Sequence, residues 1–117
     1  MAVPIKDEVS YKDFSKLDFR VGTIEKVEDV EGSKKLVELT VNFGDFTRQI
    51  LCGMHEDRED PGEVEGLQAV FLVNLKPAKM AGKVSEGMII DCGFEDGLRP
   101  AQLLVPFSEV PNGTRIG

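Results

Sequence analysis

Lys76, Lys79 and Lys83 fall within residues 74–85, a stretch without a single acid, in a chain of 117 residues whose net charge is −7. Ammonium groups clustered on one short segment bind anions, phosphate above all, because each contact releases condensed counterions. The Lys76-Pro77 step ends the apolar run 69–73 by removing a backbone donor and holding the residue before it extended. The lysines are therefore expected on a solvent-facing loop. Beside them, Asn74 and Ser85 carry short hydrogen-bonding groups suited to phosphate or sugar, and Met88 offers a polarizable surface for a base or ribose. Lys34 and Lys35 add two cations in a loop between the first two strand-like segments, and Arg48 adds a guanidinium on the third.

Other chemistry has little to work with. The chain has one histidine, His55, and no Ser/His/Asp grouping or phosphate-cradling glycine loop, so no catalytic residues are expected. Cys52 and His55 are spaced like half a metal site, but no second pair completes four ligands, and neither metal nor cofactor is expected. His55 reads as an exposed loop residue, and Asp57 and Asp60 as loop solvation. Cys52 and Cys92 lie in apolar patterns and are expected to be buried free thiols, as in a cytoplasmic protein. No apolar run approaches the roughly 20 residues of a membrane span, and no signal-peptide core is present.

Acidity overall argues against indiscriminate affinity for nucleic acid, so distribution decides. Residues 55–65 hold six acids and one arginine, whereas residues 74–85 hold three lysines and no acid. Such asymmetry suits one anion-binding face on a body that repels polyanions elsewhere.

The elements that must position this face read as short strands. Ser10, three residues before Asp13 and followed by Tyr11, Phe14 and Leu17, predicts a short capped helix lying against the rest of the domain. From Phe19 the period becomes two, with Gly22 predicted to mark a bend. Val37, Leu39, Val41 and Phe43 alternate with Glu38, Thr40 and Asn42, and Gly44-Asp45 turns the chain into a strand over 46–52. Further strands are predicted over 68–74 and 87–93, with residues 98–105 extending or covering the sheet. Residues 54–67 form the longest connection. This all-β pattern predicts one domain over 1–117, a small closed five-stranded barrel of OB-fold or SH3-like type.

Four landmarks favour the OB-fold by resemblance. Asn74-Leu75-Lys76-Pro77-Ala78-Lys79 with Ser85-x-Gly87-Met88 resembles the signature of the tRNA-binding domain that ends many methionyl-tRNA synthetases and also occurs free-standing. Phe14-x-Lys16-Leu17-Asp18-Phe19-Arg20-Val21-Gly22, Arg48-Gln49-Ile50-Leu51-Cys52-Gly53 and Val110-Pro111-Asn112-Gly113-Thr114-Arg115-Ile116 resemble the family's opening strand, third strand and closing segment. The resemblance implies an OB-fold five-stranded barrel with a short N-terminal helix and a C-terminal extension. It also implies structure-specific tRNA binding, with a binding role for the segment that holds Asn74, Lys76, Lys79, Lys83, Ser85 and Met88. Lys34, Lys35 and Arg48 join the expected contact set because an OB-fold binds nucleic acid on the face of its second and third strands and the loops beside it, although Gly32-Ser33-Lys34-Lys35-Leu36 departs from the family pattern. A homodimer is implied too, with methionyl-tRNA synthetase as a candidate partner; residues 103–116 and the N-terminal helix are the expected dimer interface, because their apolar residues exceed what one small barrel can bury. CsaA-like peptide-binding export chaperones share the same landmarks and form the rival expectation.

Overall fold

The computed structural model describes residues 3–117. Helix α1 (Tyr11–Phe14) starts where Ser10 Oγ accepts from the Asp13 N–H at 3.0 Å. A single turn has too little surface to dock, and contrary to expectation none of its residues is buried against the barrel. Strand β1 (Phe19–Asp29) pairs antiparallel with β2 (Val37–Asn42), which pairs with β3 (Thr47–Cys52). On its other edge β1 pairs with β4 (Gln68–Leu72), giving the order β3-β2-β1-β4-β7 once β7 (Met88–Ile89) joins β4. Between β4 and β7 lies a hairpin of β5 (Ala78–Met80) and β6 (Lys83–Ser85). Strands β8 (Asp91–Cys92) and β9 (Gln102–Leu103) form a second small ribbon. The predicted strand 87–93 is thus two short strands serving different sheets.

The long first strand works because its two halves have different partners. Residues 19–23 pair with β4 and residues 23–29 with β2. Opposite the first half, where β2 no longer reaches, the closing segment takes over: Val21 and Phe19 exchange backbone hydrogen bonds with Gly113, Thr114 and Ile116 at 2.7–2.9 Å. Asn112 fixes that segment by accepting from Thr23 Oγ1 and Gln68 Nε2. The bend predicted at Gly22 instead falls at Glu25, where the register with β2 slips by one residue. Gly22 serves close packing: a Cβ there would stand 2.7 Å from Phe43 Cε1 and Val41 Cγ1.

The alternation of β2 is realised, with Val37, Leu39, Val41 and Phe43 buried alongside Ile24, Ile50, Ala69 and Phe71. Residues 53–67 do more than connect. Two 3-10 turns, Met54–Glu56 and Pro61–Val64, bury Met54, Pro61 and Val64. Asp57 accepts from the Ala101 N–H at 2.8 Å and Asp60 caps the second turn through the Gly62 N–H, so these acids hold backbone and are not merely loop solvation. His55 is half-buried rather than exposed, its Nε2 2.6 Å from Asp29 Oδ1. The cysteines are free, but only Cys52 is shielded, and burial pushes its thiol up to about 12; Cys92 is exposed, against expectation. No helix among the described residues is long and apolar enough to cross a membrane.

Candidate nucleic-acid interface

The lysine loop is a β-hairpin. Ala78 pairs with Ser85, Lys79 with Val84 and Met80 with Lys83, around a two-residue turn in which Ala81 (φ +50°) and Gly82 (φ +79°) both have positive φ. Two consecutive positive φ angles match the right-handed twist of the flanking strands, and glycine carries the second without steric cost. Paired residues share a face, so Lys79 and Val84 point one way while Met80, Lys83 and the buried Ser85 point the other. The second face turns toward β2, where Lys83 Nζ reaches Glu38 Oε1 at 3.3 Å. Lys76 and Lys79 are exposed and have no ion-pair partner among the described residues.

The remaining predicted contact residues divide sharply. Lys34 is exposed and unpaired among the described residues. Lys35 lies in a turn tied by Ser33 Oγ and sits 3.6 Å from Glu56. Met88 is exposed on β7, beside Leu72 of β4. Arg48, Asn74 and Ser85 spend their side-chain hydrogen bonds on the scaffold, Ser85 buried, Arg48 half-buried and Asn74 exposed. Arg48 lies over the Phe46 ring and donates to the carbonyls of Val73 and Glu86. Asn74 accepts from the Asp18 N–H at 2.9 Å and donates to the Lys16 carbonyl at 2.6 Å, tying the end of β4 to the entrance of β1. Ser85 Oγ accepts from the Leu51 N–H and donates to the Gly87 carbonyl, both at 3.0 Å. With Glu86, whose N–H and side chain bond Gln49, Arg48 and Ser85 close the seam between β3 and the segment leading into β7.

Ser85 therefore yields a prediction of structure, not of contact. Ser85→Ala leaves a buried N–H without its acceptor and is expected to cost about 1 to 3 kcal/mol of stability. Affinity for RNA per folded molecule should stay close to that of the wild type, because the two Glu86–Gln49 hydrogen bonds still hold the hairpin to β3, as denaturant melts paired with titrations would show.

Two polar groups that were not singled out from the sequence line the same surface: Glu38 on β2, and Gln49 on β3, whose Oε1 accepts from Thr40 Oγ1 at 3.0 Å. Their signal was the polar phase of the β2 alternation and its cross-strand partners. A separate cleft of about 720 Å³ lies between α1, Asn74 and the C-terminal residues, with Lys16 and Arg115 on its walls. At its edge Asp18 binds Arg20 through two hydrogen bonds, and that guanidinium holds the Asp18 carboxyl below its ordinary range.

The family described as "Putative tRNA binding domain" matches residues 19–115. The chain belongs to this tRNA-binding-domain family. Its match begins at β1 and ends in the closing segment, so it takes in the whole curled sheet and the lysine hairpin. A methionine–tRNA ligase from Archaeoglobus fulgidus is 49% identical over 111 residues; these are 95% of this chain and 16% of that protein's length. Among solved structures, a MetRS-related protein from Pyrococcus horikoshii aligns with a TM-score of 0.85 at 36% identity, covering 96% of this chain and all of the other. The chaperone CsaA from Bacillus anthracis aligns at 0.81 and 31% identity over 95% of this chain and all of the other. The OB-like fold with a short N-terminal helix is thereby established and the SH3-like alternative falls away, but the five strands curl into a half-barrel, with no strand pairing between β3 and β7 among the described residues, and not into the closed barrel expected.

Proposed function

We propose that this domain binds folded tRNA through the lysine hairpin, with Lys76 and Lys79 as principal phosphate contacts and Lys34, Lys35 and Lys83 flanking them. The observation that carries the reading is the basic segment itself: Lys76, just before the hairpin, and Lys79 on β5 present ammonium groups unpaired among the described residues from a body of net charge −7, in a chain of this family. Acidic surroundings suppress binding to arbitrary polyanions, so affinity depends on a backbone shape that meets the hairpin and the 31–36 loop together. The domain acts as a binding module rather than an enzyme, delivering tRNA in trans to a methionyl-tRNA synthetase. It works in the cytoplasm as a homodimer. Val105, Phe107 and Ile116 in the C-terminal segment, with Tyr11 and Phe14 of α1, are all exposed and form the pairing surface.

Similarity to CsaA favours a second reading, peptide binding, and the hairpin carries an apolar side chain for it on each face, Met80 on one and Val84 on the other, both partly exposed. Salt separates the two. Three phosphate contacts at a slope of about −0.9 each turn a rise from 50 to 200 mM salt into about a 40-fold loss of affinity, whereas an apolar groove is nearly indifferent. Titrating purified protein with folded total tRNA and with unstructured RNA of equal length at those two salts is the test. The expected result is preference for folded tRNA, a steep salt slope and two chains per complex; no tRNA binding at 50 mM would transfer the assignment to peptide.

A further inference from the structure

We infer that Glu38, Lys83 and Gln49 form a base-reading site selective for an unstacked guanine. The inference rests on the tRNA-binding reading and specifies which chemical feature of the RNA the hairpin face meets beyond its phosphates.

Glu38 stands out as an acid on the face that the basic hairpin covers. Its side chain is only 16% exposed, its one side-chain partner among the described residues is Lys83, and Glu28 lies opposite it on β1. Two neighbouring carboxylates repel phosphate, so Glu38 itself is not part of the backbone-binding track, which Lys83 borders. What a carboxylate can do there is accept hydrogen bonds from a base. Lys83 makes that tolerable by offsetting the charge of Glu38, and its ammonium keeps further protons to donate while it holds that carboxylate. Gln49 supplies a second donor: its Oε1 is taken by Thr40, while its amide NH2 makes no hydrogen bond among the described residues.

Glu38 lies opposite Leu51, and Thr40 opposite Gln49, so Glu38 and Gln49 are diagonal neighbours on the outer face of the β2–β3 pair. Such pairs are about 7 to 8 Å apart at the backbone, within reach of long side chains converging on one base edge. Met80 shares the hairpin face with Lys83 and is 37% exposed, giving a thioether surface against which a planar ring can lie.

The donor and acceptor pattern selects one base. Guanine presents two adjacent donors, N1–H and the N2 amino group, next to the O6 acceptor. A carboxylate takes both donors in parallel, while the Gln49 amide or the Lys83 ammonium donates to O6. Adenine turns a bare N1 acceptor toward the carboxylate. Uracil offers one N–H flanked by two carbonyls, and cytosine one amino group beside an acceptor. A bidentate pair of this kind discriminates by about ten-fold or more.

The test uses fluorescein-labelled single-stranded uridine octamers with two central guanines, adenines or inosines, titrated at low salt, with folded total tRNA as the reference arm. The wild-type protein is expected to bind the guanine octamer about ten-fold more tightly than the adenine one, and more tightly than the inosine one, which lacks only the N2 amino group. Glu38→Gln, which keeps the side chain's shape but removes the double acceptor, is expected to bring all three within about two-fold of one another. Glu38→Ala serves as a second variant with no amide of its own, and it should abolish the preference equally. Equal affinities in the wild type, or a guanine preference that survives both variants, would overturn the proposal while tRNA binding stands. Failure to bind any RNA, folded tRNA included, would overturn this proposal together with the reading beneath it.

Discussion

Reversing Lys76 and Lys79 together to glutamate is expected to weaken tRNA binding about a hundred-fold at moderate salt and to flatten its salt dependence by nearly two units of slope. The argument begins from what these side chains do not do. Neither forms an ion pair among the described residues and both are exposed, so no intramolecular contact is lost and the melting temperature should hardly move. Each removed ammonium forfeits one counterion-releasing contact, and each added carboxylate sets a like charge against phosphate. About ten-fold per site is the expected cost, and the two add if the lysines meet different phosphates. Lys83 makes a poor third site for the same experiment. A glutamate there would face Glu38 across the gap that the ion pair now bridges at 3.3 Å, mixing lost binding with a structural penalty. Wild-type affinity in the Lys76 and Lys79 double variant, with the fold intact, would reduce the hairpin lysines to ordinary solvated charge and remove the proposed interface.

The division between contact residues and scaffold residues explains what was legible in the sequence. Local periodicity carries its own physics, so the Ser10 cap, the Gly44-Asp45 hairpin and the buried face of β2 were all readable. Val37 to Phe43 alternate because one face of a half-buried strand must be apolar. Exposed cations were also readable, since a lysine beside proline and glycine has little to pack against. Arg48, Asn74 and Ser85 were different: each is a polar residue in a motif that resembles a binding signature, yet each spends its hydrogen bonds on backbone groups 25 to 58 residues away in the chain. Nothing in the local sequence announces those partners. Ser85 also bonds Gly87, but its burial comes from Leu51 on a strand brought alongside only when the sheet curls.

The hairpin was hidden for a related reason. Ala78-Lys79-Met80 and Lys83-Val84-Ser85 contain one β-branched hydrophobe between them, and intrinsic preference for strand is weak. The ribbon forms because Ser85 and Glu86 are anchored to β3, which leaves residues 78–80 the natural pairing edge. The same tethering places Lys83 over Glu38. A pattern of three lysines thus became a directional surface, with Lys79 outward and Lys83 over the sheet. His55 and Asp29, 26 residues apart, and the bulge at Glu25 in place of the bend that local composition predicts at Gly22, are further cases in which tertiary partners outweigh local composition.

The largest loss of stability is expected at Phe43, where alanine should cost about 3 to 5 kcal/mol. Phe43 is 1% exposed and joins three elements: its ring stacks on Phe46 at a centroid distance of 5.2 Å, meets the edge of Phe71 at 5.5 Å and fills the space above Gly22. Removing it opens a cavity where β1 crosses β2, and the ring positions beneath Arg20 and Arg48, which both lie over Phe46, lose their support. Chemical denaturation of the variant measures the cost directly. Gly22 then provides a sharper check of the geometry. In the wild type, Gly22→Ala pushes a methyl group to 2.7 Å from Phe43 Cε1 and from Val41 Cγ1, an overpacking expected to cost about 1 to 3 kcal/mol. In the Phe43→Ala background the ring is gone and only the Val41 contact remains, so the same substitution should cost less by about 1 kcal/mol. Strict additivity of the two changes would mean that Gly22 is constrained by its backbone or by Val41 alone, and that the close approach of the Phe43 ring is not what requires glycine at this crossing.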